Sequence, residues 1–518
     1  MTQNAVPALG RREFTRWFWR QLTSMRTALF LLLLLAIAAV PGSIVPQRSV
    51  DARATEAYLI DHPRLGPILD DLGFFSVFTS PWFSAVYLLL LVSLVGCILP
   101  RSFVYLRALR ARPPKAPKNF SRLPASASFE TGSSLEDVTA AARRALRGAR
   151  VDVVADDRRV EVRAEKGFLR EAGNLLFHIS VVVVLIGVAV GTLFGYRGTS
   201  IVTEGDGFSN VLTQYDEFGS GALFDTDDLP PFSLTLDDLT AQFQPLGSVQ
   251  PGAPKLFRAE GSYEAKPGDE AKPYEIKVNH PLSIDGTSVH LVGQGYAPII
   301  RVRDSAGDVV FEDAVPFLPT DPSYTSNGVV KVPGAEPEQL GFQGFFLPTA
   351  VTGEDGESIS AFPGAANPLL GLFVWHGDLG LDDGTPQSVY VLDKKDMKQY
   401  MGPNGKGFRI SLSPGQEMDL PDGGTIEYVS TSQFARLQFS SSPLVKVPLI
   451  GISLGLLGLV LSLFVNPRRT WVRMRRDDSR TFVEVAALDR SPRDGLPADL
   501  DDFLTRLREG LERPKEQS

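Results

Sequence analysis

Cysteine is almost missing from this 518-residue chain: Cys97 stands alone, so no internal disulfide forms and no Cys-x-x-Cys pair can cycle one. Histidine is scarce, with His62, His178, His280, His290 and His376 the five present, and their spacing matches neither a zinc site nor an HExxH helix. There is no glycine-rich phosphate loop, no internal repeat and no nucleophile-base constellation, so no catalytic residue is assigned. Charge is missing over four long stretches, Thr27 to Val45, Trp82 to Pro100, Asn174 to Phe194 and Val447 to Val465, each of 19 to 21 residues. Crossing ~30 Å of hydrocarbon takes roughly 20 helical residues. The chain therefore reads as a four-span membrane protein. The first run lacks a small-x-small cleavage site and precedes three more, so it is expected to remain a span.

Basic residues give the orientation. Arg11, Arg12, Arg16, Arg20 and Arg26 precede the first run, sixteen Lys and Arg lie between Arg101 and Arg170, and Arg468, Arg469, Arg473, Arg475 and Arg476 follow the last run. By the positive-inside rule these segments are cytoplasmic. The expected order is a cytoplasmic N-terminus (1–26), span (27–46), extracytoplasmic loop (47–81), span (82–100), cytoplasmic α+β module (101–172), span (173–195), large extracytoplasmic domain (196–446), span (447–465) and cytoplasmic tail (466–518). The protein belongs, on this reading, in the plasma membrane with both termini inside. Between Tyr196 and Lys446 there are 34 acidic and 16 basic residues, an excess of 18 negative charges. That disfavours nucleic acid and suits a basic protein partner.

In the cytoplasmic module, Ala127 to Thr131 reads as a strand and Ser133-Ser-Leu-Glu136 as a capping box opening a helix through Arg147 that Gly148 stops. Val151 to Val154 and Val160 to Ala164 alternate as a hairpin turning at Asp156-Asp157. The outer domain shows short alternating runs, such as Phe232 to Asp237, Tyr274 to Val278 and Ser388 to Leu392, between Gly, Pro and Asp clusters. They predict an antiparallel β-rich domain, a sandwich or a related fold. The fourth run carries Gly451, Gly455 and Gly458 at the spacing of a close-packing helix face, which serves a neighbouring helix of this chain or a partner equally well. The final segment is charged and ends in a helical pattern from Leu500 to Leu511.

Within the four runs, His178 is the only Asp, Glu, Lys, Arg or His. An ionisable side chain at membrane depth is a functional-site hypothesis in itself. Three uses are open: a hydrogen bond to a neighbouring helix, a proton relay, or a lone pair offered to a metal or porphyrin iron. His280, His290 and His376 read as surface or strand residues, and His62, before Pro63, as a turn residue. Cys97 reads as a small packing residue, since apolar surroundings keep a thiol inert.

Four stretches together resemble one family, the ResB (also called CcsB) proteins of System II cytochrome c maturation. They are Leu22-Thr-Ser-Met-Arg-Thr-Ala-Leu29 running into Pro41-Gly-Ser-Ile-Val-Pro-Gln47; Leu72-Gly73 to Trp82-Phe83 with Cys97-Ile-Leu-Pro-Arg101; Lys166-Gly167 through Gly173 to His178; and Asn279-His-Pro-Leu282 with Gly286 and Gln294-Gly-Tyr296. The order of three spans, outer domain and final span leading into Asn466-Pro-Arg-Arg-Thr-Trp-Val472 is similar too, so the likeness covers about Trp17 to Trp471.

The resemblance implies a subunit that binds b-type haem as transported substrate, carries it outward and supports its attachment to apocytochrome c. It makes His178 an axial ligand of haem iron. It also implies a ResC/CcsA-type membrane partner supplying the tryptophan-rich haem segment that this chain lacks, and a separate thioredoxin-like thiol reductant. The chain would then be half of a holocytochrome c synthase (haem lyase), surrounded by membrane lipids, contributing a half-site or no catalysis at all. Two rivals stand beside this: a membrane-anchored scaffold docking a secreted client without haem, and a proton-linked transporter, which would need further polar groups at membrane depth, where only Ser93, Ser180, Ser453 and Ser462 offer themselves.

Overall fold

The computed structural model describes residues 10–48, 50, 52–156, 159–353, 356–381, 389–403, 405–477, 479–489 and 496–512. The helices are α1 (Arg11–Leu22), α2 (Met25–Ile44), α3 (Ala52–Asp61), α4 (Gly66–Asp71), α5 (Pro81–Arg110), α6 (Leu135–Ala145), α7 (Leu169–Phe194), α8 (Lys446–Phe464) and α9 (Leu496–Glu512). Four of them, α2, α5, α7 and α8, are long and apolar enough to cross a membrane, as the uncharged runs require. Their outward leucines stay uncovered: Leu29, Leu33, Leu88, Leu456 and Leu463 are all exposed. Hydrocarbon is the environment that makes such surfaces stable.

The chain divides into two compact units, one formed by 1–189 with 444–518 and the other by Val190–Pro443. In the first, α7 and α8 meet along small residues. Gly173, Ser180 and Gly187 of α7 are buried, as are Gly451, Gly455 and Gly458 of α8. A methyl group on Gly458 would stand 2.6 Å from the Phe177 amide nitrogen and 2.7 Å from the Gly173 carbonyl oxygen. The glycine face of the fourth run is thus used within the chain.

Helix α5 runs ten residues past the charge-free stretch. It begins with Pro81 at its first position, behind Ser80, whose Oγ accepts from the Phe83 amide at 3.3 Å. It continues through Pro100 and ends at Arg110, just before Pro113-Pro114 forbids more helix. A further helix, α1, forms in the Arg-rich N-terminal segment, with Phe14, Trp17, Phe18 and Trp19 about half exposed.

The α+β part of this unit is a five-stranded antiparallel sheet in the order 125–131, 480–489, 468–477, 159–166, 150–156. Two of its three inner strands come from beyond α8. Val472, Met474, Val483 and Val485 alternate inward beneath α6 and α9, packing on Val138, Ala142, Phe503 and Leu507. Segments expected as a separate module and tail therefore share one core. The predicted strand and hairpin form as Ala125–Thr131, Arg150–Asp156 and Arg159–Lys166, while Asp157 of the expected turn lies outside the described residues. The cap of α6 is one residue later than expected: Ser134, not Ser133, accepts from the Asp137 amide at 3.1 Å. Where sheet becomes membrane helix, Gly167 takes φ +84°, and a Cβ there would lie 2.1 Å from the Asn466 carbonyl oxygen.

From Tyr196 on, the Val190–Pro443 unit is built mainly of antiparallel strands, as its alternation predicted. Two 17-residue strands, Thr287–Arg303 and Thr425–Ser441, pair along their lengths, and Tyr196–Thr203 adds to the second. One core stacks Phe208 on Phe439 at 4.0 Å between ring centres, and another gathers around Phe342, Phe346 and Tyr428. The run Tyr274–Val278 forms strand Lys272–Lys277, and Phe232–Asp237 yields the short strand Ser233–Thr235. The run Ser388–Leu392 is no strand in its described part. Residues 389–392 turn and run irregularly, Tyr390 donates its hydroxyl to Asp216 at 2.9 Å, and Leu392 packs with Leu379 and Met397. Ser388 lies outside the described residues.

The seam between α7 and α8 makes a graded test. Gly458→Ala meets backbone atoms that cannot yield, whereas Gly455→Ala meets only the Ser180 hydroxyl at 2.7 Å. Overpacking a tight core costs roughly 1–3 kcal/mol. Thermal unfolding in detergent is expected to show a clear loss for Gly458→Ala and a much smaller one for Gly455→Ala; equal melting would contradict the seam.

Candidate functional site

His178 sits nine residues into α7, half-buried, with its ring edge-to-face against Phe177 at 5.3 Å between centres. Its Nδ1 lies 2.8 Å from the Asn174 carbonyl oxygen, one turn back on the same helix. A carbonyl only accepts, so Nδ1 carries the proton and donates. The lone pair is left on Nε2. That is the tautomer of a histidine prepared to ligate a metal through Nε2, oriented by a backbone carbonyl.

The residue lines a cavity of about 340 Å³, within the range of small-molecule sites. Three stretches of chain wall it: Thr23, Met25 and Ala28 at the start of α2; Leu94, Cys97, Ile98, Arg101 and Tyr105 on α5; and Leu175 with His178 on α7. Its surface is mainly apolar, with Arg101, Ser102 and Tyr105 supplying polar groups at one end of the α5 wall.

The first wall is held by an exchange of hydrogen bonds at the break between α1 and α2. A helix end leaves carbonyls without intrahelical donors. Here α5 supplies them: Ser93 Oγ donates to the Leu22 carbonyl at 2.5 Å, and the Cys97 thiol to the Thr23 carbonyl at 2.6 Å. Ser24 then caps α2 by accepting from the Thr27 amide at 3.2 Å. The elbow presses so closely on α5 that a Cβ at Gly96 would lie 2.1 Å from Thr23 Cγ2. Cys97 is therefore more than filler: it is a half-buried donor in the same wall as the histidine's cavity. The small residues Ser93, Gly96 and Cys97 were the signal for that contact, three on one stretch of an otherwise leucine-rich helix.

On the side of α7 that carries His178, Tyr87 of α5 donates to the Leu185 carbonyl at 3.1 Å. Among the serines a proton relay would need, Ser93, Ser180 and Ser453 each donate to a backbone carbonyl, of Leu22, Phe177 and Leu449 respectively. Their protons are committed to helix backbone rather than aligned toward His178.

The other histidines lie elsewhere. His62 stacks on Tyr58 at 4.2 Å in the turn after α3, with Nδ1 3.1 Å from the Tyr58 carbonyl. His280 is exposed beside a tight turn in which Asn279 has φ +65°, and His290 is half-buried in a long strand. His376 hydrogen-bonds Glu338 and stacks on Tyr400 at 4.2 Å. Among the described residues no group of three or more His, Cys, Asp or Glu is placed to hold a metal ion. Gln294-Gly-Tyr296 proves architectural: a Cβ at Gly295 would lie 2.3 Å from the Phe434 ring, and the Tyr296 hydroxyl donates to the Pro363 carbonyl at 2.8 Å.

Cys97 offers a test of its donor role. Cys97→Ser keeps a donor for the Thr23 carbonyl, whereas Cys97→Ala leaves that oxygen unpaired, at a cost of about 1–3 kcal/mol. Both variants are expected to keep near wild-type activity when expression is matched, with only Cys97→Ala melting lower. Loss of activity in a well-folded Cys97→Ser would show a chemical role for the thiol.

A family model described as the ResB-like family matches residues 25–501, from the first residue of α2 into α9. The chain is 25% identical over 461 residues to the cytochrome c biogenesis protein CcsB of Synechococcus sp. (strain JA-3-3Ab), covering 88% of this chain and 83% of that protein. It is 26% identical over 343 residues to the protein of the same name from Synechococcus sp. (strain JA-2-3B'a(2-13)), covering 62% of this chain and 68% of the relative.

Proposed function

The chain belongs to the ResB-like family, and on that premise we propose that it acts in cytochrome c biogenesis as the membrane subunit that takes up haem and hands it on for attachment to apocytochrome c. The observation that carries the reading is the His178 imidazole: Nδ1 is spent on the Asn174 carbonyl, and Nε2 is left with its lone pair free in an apolar cavity between membrane helices. A neutral imidazole is the proximal ligand that haem iron takes in many proteins. The residues fit the cargo, since leucine, isoleucine and methionine line the cavity and would face a porphyrin, and one ring nitrogen is free for iron.

One imidazole fills one axial position. A second membrane protein of the ResC/CcsA type supplies the other, so the working unit is a complex and this chain half of a holocytochrome c synthase. The positive-inside rule puts both termini and the α+β sheet in the cytoplasm of a cell whose plasma membrane holds the protein. His178 then lies in the cytoplasmic part of α7, where haem enters. The Val190–Pro443 unit lies outside, and its excess of acidic residues steers a basic apocytochrome toward the complex, by encounter rate more than by final affinity. Because Cys97 has no partner thiol, the apocytochrome's cysteines are kept reduced by a separate thioredoxin-like protein.

Replacing His178 with Ala in the co-expressed complex is expected to strip haem from the purified protein and stop cytochrome c maturation. Added imidazole is expected to restore part of the bound haem by occupying the vacated position. Full haem occupancy in His178→Ala would reject the proposal.

A secreted form of 196–446 is expected to fold alone, show β-rich circular dichroism, bind apocytochrome in a salt-sensitive way and bind little haem. Tight stoichiometric haem binding by that unit would move the site to His280, His290 or His376.

A further inference from the structure

The α5 wall of the His178 cavity changes character along its length. Leu94, Ile98, Arg101 and Tyr105 fall within about 60° of one another around the helix, a single stripe about 16 Å long at 1.5 Å per residue. The stripe begins apolar and ends in a guanidinium and a phenol, all lining the same cavity. Arg101 differs from four arginines of the nearby sheet. Arg163, Arg468, Arg469 and Arg473 are each paired with a carboxylate. Among the described residues, Arg101 has neither an ion pair nor a hydrogen-bond partner, although it borders the one ionisable imidazole at membrane depth.

A ligand matched to this wall is an amphiphile: flat and apolar over most of its length, with an anionic group at one edge. Iron porphyrins carrying carboxylate side chains have that form. We infer that Arg101 reads the carboxylate edge of the porphyrin while His178 takes the iron, which fixes the in-plane orientation of the cargo. The inference rests on the haem reading of this cavity. A guanidinium suits the task because its planar fork meets a carboxylate through two parallel hydrogen bonds, and it stays charged at a membrane boundary. Lysine offers a point charge and restores only part of the binding. Lipid phosphate offers Arg101 the same charge from a different source, and the measurement separates the two.

The test is a titration of the full-length chain in maltoside micelles with ferric haem and with ferric haem dimethyl ester, followed by Soret absorbance. The ester keeps the iron and the ring but carries no carboxylate. Wild-type protein is expected to bind haem about 10-fold more tightly than the ester, the scale of one charge-assisted hydrogen-bonded pair. Arg101→Ala is expected to remove that difference by weakening haem about 10-fold and leaving the ester unchanged, with Arg101→Lys in between. Equal affinity of the wild-type protein for the two porphyrins overturns the inference without reliance on any variant. So does an Arg101→Ala protein that still prefers haem, the result expected if Arg101 serves lipid phosphate. Failure of the underlying reading is distinct: wild-type protein that binds neither porphyrin, or His178→Ala that binds both as the wild type does, rejects haem as the cargo of this cavity.

Discussion

The close approach of α7 and α8 is the contact on which the rest of the membrane unit depends. Gly173 and Gly458 bring two backbones together where any side chain would collide, and in hydrocarbon such packing replaces the hydrophobic force that water would supply. Helical geometry then dictates what the remaining faces of α7 can do. Gly173, Ser180 and Gly187 fall on one side, and at 100° per residue His178 points about 140° away from Gly173. The seam thus turns the histidine toward α5 and the α2 elbow, where its cavity lies. The same pair of helices continues into paired strands, Arg159–Lys166 against Arg468–Asp477, with Gly167 pressed on Asn466 at the junction.

Five other polar groups at membrane depth are committed to the backbone. Tyr87, Ser93, Cys97, Ser180 and Ser453 each donate to a backbone carbonyl, and in hydrocarbon that leaves them satisfied and inert. His178 spends one nitrogen in the same manner but has a second. A neutral imidazole is not silenced by one carbonyl, because with one nitrogen donating the other is left as an acceptor. This is the physical reason for treating it differently from its neighbours, and it holds without any appeal to relatives.

The four spans were legible because hydrocarbon thickness imposes a length that charge-free runs display openly. The hairpin Arg150–Lys166 was legible too, since alternation and a turn are local. The sheet that completes it was not: Val472 and Met474 alternate with Arg473 and Arg475 and lie some 300 residues from the strand they join, and nothing local encodes that pairing. The α1 helix was hidden for another reason, its basic residues reading as an orientation signal rather than as one face of a helix with Phe14, Trp17 and Phe18. Ser388–Leu392 shows the converse error. Alternation there predicts a strand, but the described part is held by a hydroxyl bond to Asp216 and a buried Leu392, which tie down an irregular loop. At the site, His178 was legible by its isolation, while Cys97 and Arg101 were not recognised as its neighbours. A cavity wall is formed by three segments, and only one of them carried the conspicuous residue.

The residues that carry the family likeness divide by task once their surroundings are known. In the β unit, Gly295 is needed because Phe434 crosses the strand, Tyr296 anchors the Pro363 loop, and Asn279 takes the left-handed turn before His280. These explain themselves through the β fold alone. In the membrane unit, Thr23, Met25, Cys97, Arg101 and His178 border one cavity, though packing of the helices demands only some of them. Cys97 is used by the α1 end and Gly96 by the elbow. His178 Nε2, at membrane depth, and the Arg101 guanidinium, at the membrane boundary, have no hydrogen bond or ion pair in the described chain, and groups that a fold leaves unused there are the ones for which a ligand has to be sought.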